Sequence, residues 1–375
     1  MKKAIASGRF PGVLKRGPTD SAKSSGGGRN WSGQMAWSSS ACRSPRQRFS
    51  SCGPGRAALA LVLVGVLAAA LLAASCLQPP EGPDGAARGS GGAGGEGSPG
   101  PGYGDLLATP AAEELPGRLV VYFLDVGQAD ASFVRTPGGK VIVIDTGDSP
   151  DDVVGFLKAK GVERVDVLVL SHPHADHIGG ALRILEEFEV GVLYDSGFVH
   201  PTRVYEETLA KALELRDAGR LTYVAARAGQ VLEVDPSLSV TVLHPEEPLG
   251  DEANDASVVL KIVFGSFSVL FTGDIEEAGE RAVLARSAEL GVDLGATVLK
   301  VAHHGSRTST GPEFLAAVHP EVAVIQAGRD NPYGHPSPVV LRRLSEAGVT
   351  VYVTASHGTV IVHSDGEDWE VVTGP

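Results

Sequence analysis

The chain has 375 residues and a formal net charge of −13, enough length for one large or two ordinary domains. The charge is spread unevenly: residues 1–56 hold eleven Lys and Arg and one acid, leaving 21 of the 32 basic and 44 of the 45 acidic residues to 57–375. So acidic a body excludes a broad non-specific nucleic-acid surface, which needs Lys and Arg against phosphates, although a bound cation still attracts a phosphodiester locally. The three cysteines (Cys42, Cys52, Cys76) all precede residue 77, so residues 77–375 offer neither a disulfide nor a thiolate for a metal.

Residues 1–56, rich in Gly, Ser, Arg and Lys with no helical or strand period, are expected to be disordered. Met35 is an alternative start within them, which N-terminal sequencing would show. Residues 57–77 are an uncharged run of Ala, Leu, Val and Gly, long enough to cross a bilayer as a helix. The basic residues ahead of it predict an N-terminus inside and an exported remainder. An uncleaved anchor is the first reading. A cleaved signal peptide, or a lipoprotein signal with Cys76 as the modified residue, stands as the alternative. Residues 78–117, rich in Pro and Gly, read as a flexible tether.

From 118 to 375 the pattern is globular. Short β-branched runs at 119–124, 141–144, 167–170, 240–243, 258–263, 269–271, 298–301, 322–325, 349–353 and 360–362 predict strands. Helical patterns lie between some of them, at 151–160, 180–188, 204–218, 276–290, 312–318 and 339–347. Two groups of strands with interposed helices predict an α/β fold, a four-layer αβ/βα sandwich.

The run 167–170 leads into Ser171, His172, Pro173, His174, Ala175, Asp176 and His177. An H-x-H-x-D-H motif between a strand and a helix can aim several side chains at one point. Imidazole and carboxylate suit Zn²⁺, with Mn²⁺ or Fe as alternatives. His172 and His174, two apart, can grip one ion, and Asp176 and His177 on the next turn can reach a second. Gly179 and Gly180 let the following helix approach closely. A chance cluster of surface histidines is the competing reading. Three of eleven histidines and an acid within six residues, at the end of an apolar strand, argue against it.

Further stretches accompany this motif in order: FLDVGQAD (123–130), IDTG (144–147), NDASVVL (254–260), FTGDIE (271–276), LKVAHHGS (299–306) and NPYGHP (331–336). Together they resemble the metallo-β-lactamase superfamily, and within it the extracytoplasmic hydrolase domain of ComEC-type DNA-internalisation proteins, over about 118–372. The resemblance implies that His172 and His174 bind one metal, Asp176 and His177 a second, and that Asp274 bridges both. Asp274 could instead, or as well, cap the helix that follows. One of His303 and His304 would complete the first metal while the other contacts substrate phosphate; His304 is taken as the ligand. His335 would complete the second metal. Asp145 is expected to orient a ligand from behind, whereas Asp125 and Asp130 are not assigned to metal. Lys300 or His303 could stabilise phosphate or the leaving group, unless Lys300 only caps its strand. His200, His244, His319, His357 and His363 are expected on the surface or in loops. Departures from the pattern are small: Ala129 replaces a usual Gly and Ser337 a common second His.

The chemistry implied is hydrolysis assisted by two divalent ions, Zn or Mn, which acidify a shared water and offset charge developing on the substrate. Asp176, His303 and Lys300 are the residues expected to act in it. The expected substrate is a phosphodiester, with DNA one form of it. A cell-wall phosphodiester, a lactone or a β-lactam is a second possibility, and a non-catalytic metal-binding competence module a third. A membrane, through 57–77, and a competence-machinery partner are the implied neighbours. With one apolar run rather than many, the chain is not expected to import DNA by itself.

Overall fold

The computed structural model describes residues 116–374 and a two-residue strand at Leu14–Lys15. The apolar run 57–77, nearly all of the tether and the rest of 1–56 lie outside the described residues. Among those described, no helix is long and apolar enough to cross a membrane.

In chain order the strands are β1 (Leu14–Lys15), β2 (Leu119–Phe123), β3 (Ala131–Arg135), β4 (Val141–Thr146), β5 (Arg164–Leu170), β6 (Glu189–Asp195) and β7 (Thr222–Ala225). They continue as β8 (Ser239–His244), β9 (Val259–Phe264), β10 (Phe267–Phe271), β11 (Val298–Lys300), β12 (Val322–Ile325), β13 (Thr350–Val353), β14 (Val360–Ser364) and β15 (Trp369–Thr373). One sheet runs β1-β15-β14-β2-β3-β4-β5-β6-β7 and the other β13-β12-β11-β10-β9-β8. The pairing of β1 with β15 is an exception to the structureless reading of 1–56; two residues carry no period that a sequence could show.

Period-two alternation explains the layers. In β2, Leu119, Val121 and Phe123 point between the sheets while Val120 and Tyr122 point the other way. In β4, Ile142 and Ile144 join the inter-sheet core and Val141 and Val143 the outer one. The strands are therefore apolar on both faces, as strands covered on both sides must be. The outer face of the first sheet meets α1 (Asp152–Ala159), α2 (Ala175–Ile178), α3 (Ala181–Glu187) and α4 (Arg203–Asp217). The outer face of the second meets α5 (Glu277–Leu290), α6 (Pro312–Val318) and α7 (Pro338–Glu346). This is the expected four-layer αβ/βα sandwich.

Each sheet contains a parallel block: β4 to β7 in one and β10 to β13 in the other. Ligand sites in α/β folds form beyond the carboxyl ends of parallel strands. The residues after β4, β5, β10, β11 and β12 meet there.

Candidate metal centre

Five strand ends supply the centre. After β5, Ser171 and His172 are buried, and His174 precedes the short helix α2 that carries Asp176 and His177. That helix sits tight against β4 because Gly179 donates to Gly147 O at 2.8 Å, and a Cβ at Gly179 would collide with the carbonyl of Asp148. Asp145, at the end of β4, takes a left-handed φ of 57°. Its carboxylate accepts from Ser171 N and Ser171 Oγ, each at 2.7 Å, and stands 2.9 Å from His177 Nδ1. It thus fixes the face that His177 turns away from the protein. Beyond β10 comes Asp274, only 2 % exposed. The cap of α5 is Glu276, not Asp274, so the capping alternative for Asp274 is not realised.

His303 and His304 both adopt left-handed backbone (φ 49° and 51°), which throws their rings to different sides. His304 faces inward: its Nδ1 lies 2.9 Å from Gln326 O, so that nitrogen donates and Nε2 points to the centre, 3.2 Å from Asp176 Oδ2. His303 stays partly exposed, with Nδ1 3.0 Å from Glu276 Oε1 and Nε2 3.9 Å from Asp274 Oδ2.

Donor atoms converge in two places. His304 Nε2 lies 3.2 Å from Asp176 Oδ2 and 3.6 Å from Asp274 Oδ2, and His177 Nε2 lies 3.2 Å from Asp274 Oδ2 and 3.9 Å from Asp176 Oδ2. Beside this foursome, His172 Nε2 and His174 Nδ1 are 2.9 Å apart, and His172 groups with His177 and Asp274. A tetrahedral ion with bonds of about 2.0–2.1 Å keeps its donors roughly 3.3 Å apart, so both sets have suitable spacing. His177 Nε2, Asp274 Oδ1 and His335 Nδ1 are buried without a hydrogen-bond partner, an arrangement that costs free energy unless a cation meets it.

Charge tells the same story. Burial drives His172 well below the usual imidazole range, leaving a neutral ligand. Burial would do the same to His177, but Asp274, Asp145 and Asp176 outweigh it and hold the ring well above that range. In His304, burial is overcome by Asp274 and Asp130, which push it to about 10. Asp274 overcomes its own burial through His177 and His304 and lies well below the ordinary carboxylate range. The centre therefore carries an excess of negative charge that protons balance and that divalent cations can replace. The donor set fits a metal.

His304 lies beside Asp176, His177 and Asp274, the residues expected around the second metal and its bridge. The ring of His335 lies 5.6 Å from that of His303 and 6.3 Å from that of His304, nearly parallel to the latter. Lys300, expected near substrate or as a strand cap, is 2 % exposed, pairs with Asp130, approaches Asp274 Oδ1 at 3.8 Å and donates to Gly273 O at 3.2 Å. Its ammonium is needed where two buried carboxylates would otherwise repel. Among the remaining histidines, His244 and His363 are buried on strands, and the ring of His200 lies 5.3 Å from that of His174. Asp130, not assigned to metal, and Glu276, given no role, both lie inside the stretches that carry the resemblance. Nothing in one-dimensional spacing distinguishes a carboxylate that supports a ligand from a turn residue.

The loop after His304 is held by a buried carboxylate. Glu280 of α5 accepts from Thr310 N and, at 2.9 Å, from Gly311 N, while Arg343 Nη1 donates to Ser309 O and Thr310 O at 3.2 Å. Burial pushes Glu280 up to about 7, more than the two backbone donors lower it. A raised folded pKa stabilises the protein below the unfolded value and loses that stability as pH rises through the folded one. Denaturant titrations from pH 5 to 8 should therefore show up to about 3 kcal/mol of falling stability from this group. The slope should be missing in Glu280→Gln; an identical slope in both proteins would contradict the assignment.

Fold and donor set together define a metal-dependent hydrolase type. Residues 124–329 match the metallo-beta-lactamase superfamily, and the chain belongs to it. It is 34 % identical over 261 residues to ComE operon protein 3 of Bacillus subtilis (strain 168), covering 64 % of this chain and 32 % of that protein. It is 33 % identical over 239 residues to Competence protein ComA of Neisseria gonorrhoeae, covering 63 % and 31 %. The chain thus spans about a third of the length of these ComEC-type competence relatives. Among solved structures, the metallo hydrolase Igni18 of Ignicoccus hospitalis is similar, with a TM-score of 0.43 and 21 % identity over 64 % of this chain and 98 % of that one.

Proposed function

We propose that the domain is a phosphodiesterase or nuclease that works with two divalent ions, Zn or Mn, outside the cytoplasm. The observation that carries this reading is the convergence of His172, His174, Asp176, His177, Asp274 and His304 from both sheets onto one opening. Asp176, His177, His304 and Asp274 would hold one ion, and His172 and His174, sharing Asp274, the other. When bound, such a pair supplies Lewis acidity toward phosphoryl oxygens and acidifies water. Asp145 and Gln326 keep His177 and His304 oriented, and the Lys300–Asp130 pair fixes Asp274 from behind. His303, held by Glu276 and open to solvent, is placed to touch a phosphate oxygen. Likeness to competence proteins supports a nucleic-acid phosphodiester as substrate and a competence-machinery partner. The run 57–77 supports a membrane tether.

The test is direct. The protein loaded with Mn²⁺ or Zn²⁺ is given single-stranded DNA, bis-p-nitrophenyl phosphate and nitrocefin. Turnover of the two diesters is expected. Turnover of nitrocefin alone would overturn the phosphodiester reading, and metal binding with no turnover would favour a non-catalytic module.

A further inference from the structure

The loop 328–336 carries a feature that metal binding does not use. Asn331 clamps it from both ends of its side chain. Oδ1 accepts from Tyr333 N at 3.2 Å and His335 N at 3.0 Å, and Nδ2 donates to Gly328 O at 2.9 Å and His335 O at 2.5 Å. Within this clamp the Tyr333 ring is 68 % exposed. It stacks on His335 with centroids 5.7 Å apart and planes 26° from parallel. His335 in turn lies nearly parallel to His304, at 25°. Three planar rings thus step outward from the metal centre, and the last offers a bare face. A shallow surface hollow lies along the same loop, lined by Arg329, His335, Pro336, Leu341 and Val353. Arg329 is exposed, donates to Ala355 O at 2.9 Å and makes no ion pair among the described residues.

A lone exposed tyrosine is ordinary. A rigidly held one that extends a ring stack from the metal centre, beside an exposed guanidinium that Asp125 offsets, is suited to a planar ligand attached to a phosphate. We infer that Tyr333 is the specificity-determining platform for the nucleobase next to the scissile phosphate, with Arg329 meeting the adjoining backbone. The inference rests on the phosphodiesterase reading. A duplex hides its base faces, so the platform selects single strands or frayed ends, where aromatic stacking is strong and tolerant of sequence.

The experiment compares a single-stranded oligonucleotide with one whose bases are replaced by tetrahydrofuran abasic residues, using the metal-loaded full chain. The wild type should prefer the natural strand by tenfold or more in kcat/KM, mostly through KM, as loss of one base stack implies. Tyr333→Ala should cleave both strands equally, at the wild type's abasic rate, and Tyr333→Phe should behave as wild type. Equal preference in Tyr333→Ala and wild type would overturn the platform while leaving the hydrolysis intact. Binding separates the two ideas: Tyr333-dependent quenching of a 2-aminopurine strand without any cleavage would sink the hydrolase reading and retain the platform. Neither quenching nor cleavage would overturn both.

Discussion

Asp274→Ala should lose metal from both positions and with it nearly all turnover, while His174→Ala should lose only one ion. Asp274 Oδ2 faces His177 and His304 at 3.2 and 3.6 Å, and His172 belongs to the same cluster. Its loss removes the one negative donor common to both sets. It should weaken metal affinity by more than the roughly 10–100-fold that even an outer-shell partner is worth. His174 touches only His172 among the proposed ligands and is partly exposed. Its removal leaves Asp176, His177, His304 and Asp274 in place. Elemental analysis after exhaustive dialysis distinguishes the two variants. Full metal content in both would refute the assignment.

Lys300→Met should be strongly destabilising, by about 3–5 kcal/mol, because it leaves a buried charge without its partner. Asp130 is 2 % exposed, and its carboxylate meets Lys300 and, at 3.2 Å, His304 Nδ1. The double variant Asp130→Asn, Lys300→Met should recover most of the loss, since a neutral pair of similar shape tolerates burial. Urea unfolding of the four proteins in a double-mutant cycle gives the coupling. A residue that acted on substrate would behave differently: Lys300→Met would fold normally and lose rate. Normal stability with lost rate in the single variant would therefore favour a role on substrate over a structural one.

The layers of the fold were legible because apolar, β-branched runs mark strands buried on both faces. The strands that escaped notice have physical reasons. In β6 the run is broken by Gly191 and opens on Glu189, and β7 is a four-residue edge strand that is largely uncovered. Similarly, β15 carries Glu370 between apolar neighbours, and β3 begins with Ala and Ser. The donor cluster on the β5–α2 turn was legible because its spacing is local. The pairing of His304 with Asp176 was not, since 128 positions separate them and the outcome turns on one bond from His304 Nδ1 to the carbonyl of Gln326. Ser337, which stands where a second histidine is common, instead accepts from Val339 N and caps α7, a local role that the comparison of motifs could not supply. Asp130 and Lys300 illustrate the same limit: each reads as a turn or strand-end residue until the fold brings them together inside the centre.

The central claim is that one opening holds two unequal divalent ions that act together on a phosphodiester. Stepwise reloading of the metal-free protein with Mn²⁺ or Zn²⁺, following bound metal and hydrolysis of bis-p-nitrophenyl phosphate in the same samples, tests it most directly. Binding should proceed in two steps to two ions per chain, the four-donor set filling first, with turnover rising mainly on the second equivalent. Saturation at a single ion with full activity, or two bound ions with no hydrolysis of any phosphodiester, would contradict the account.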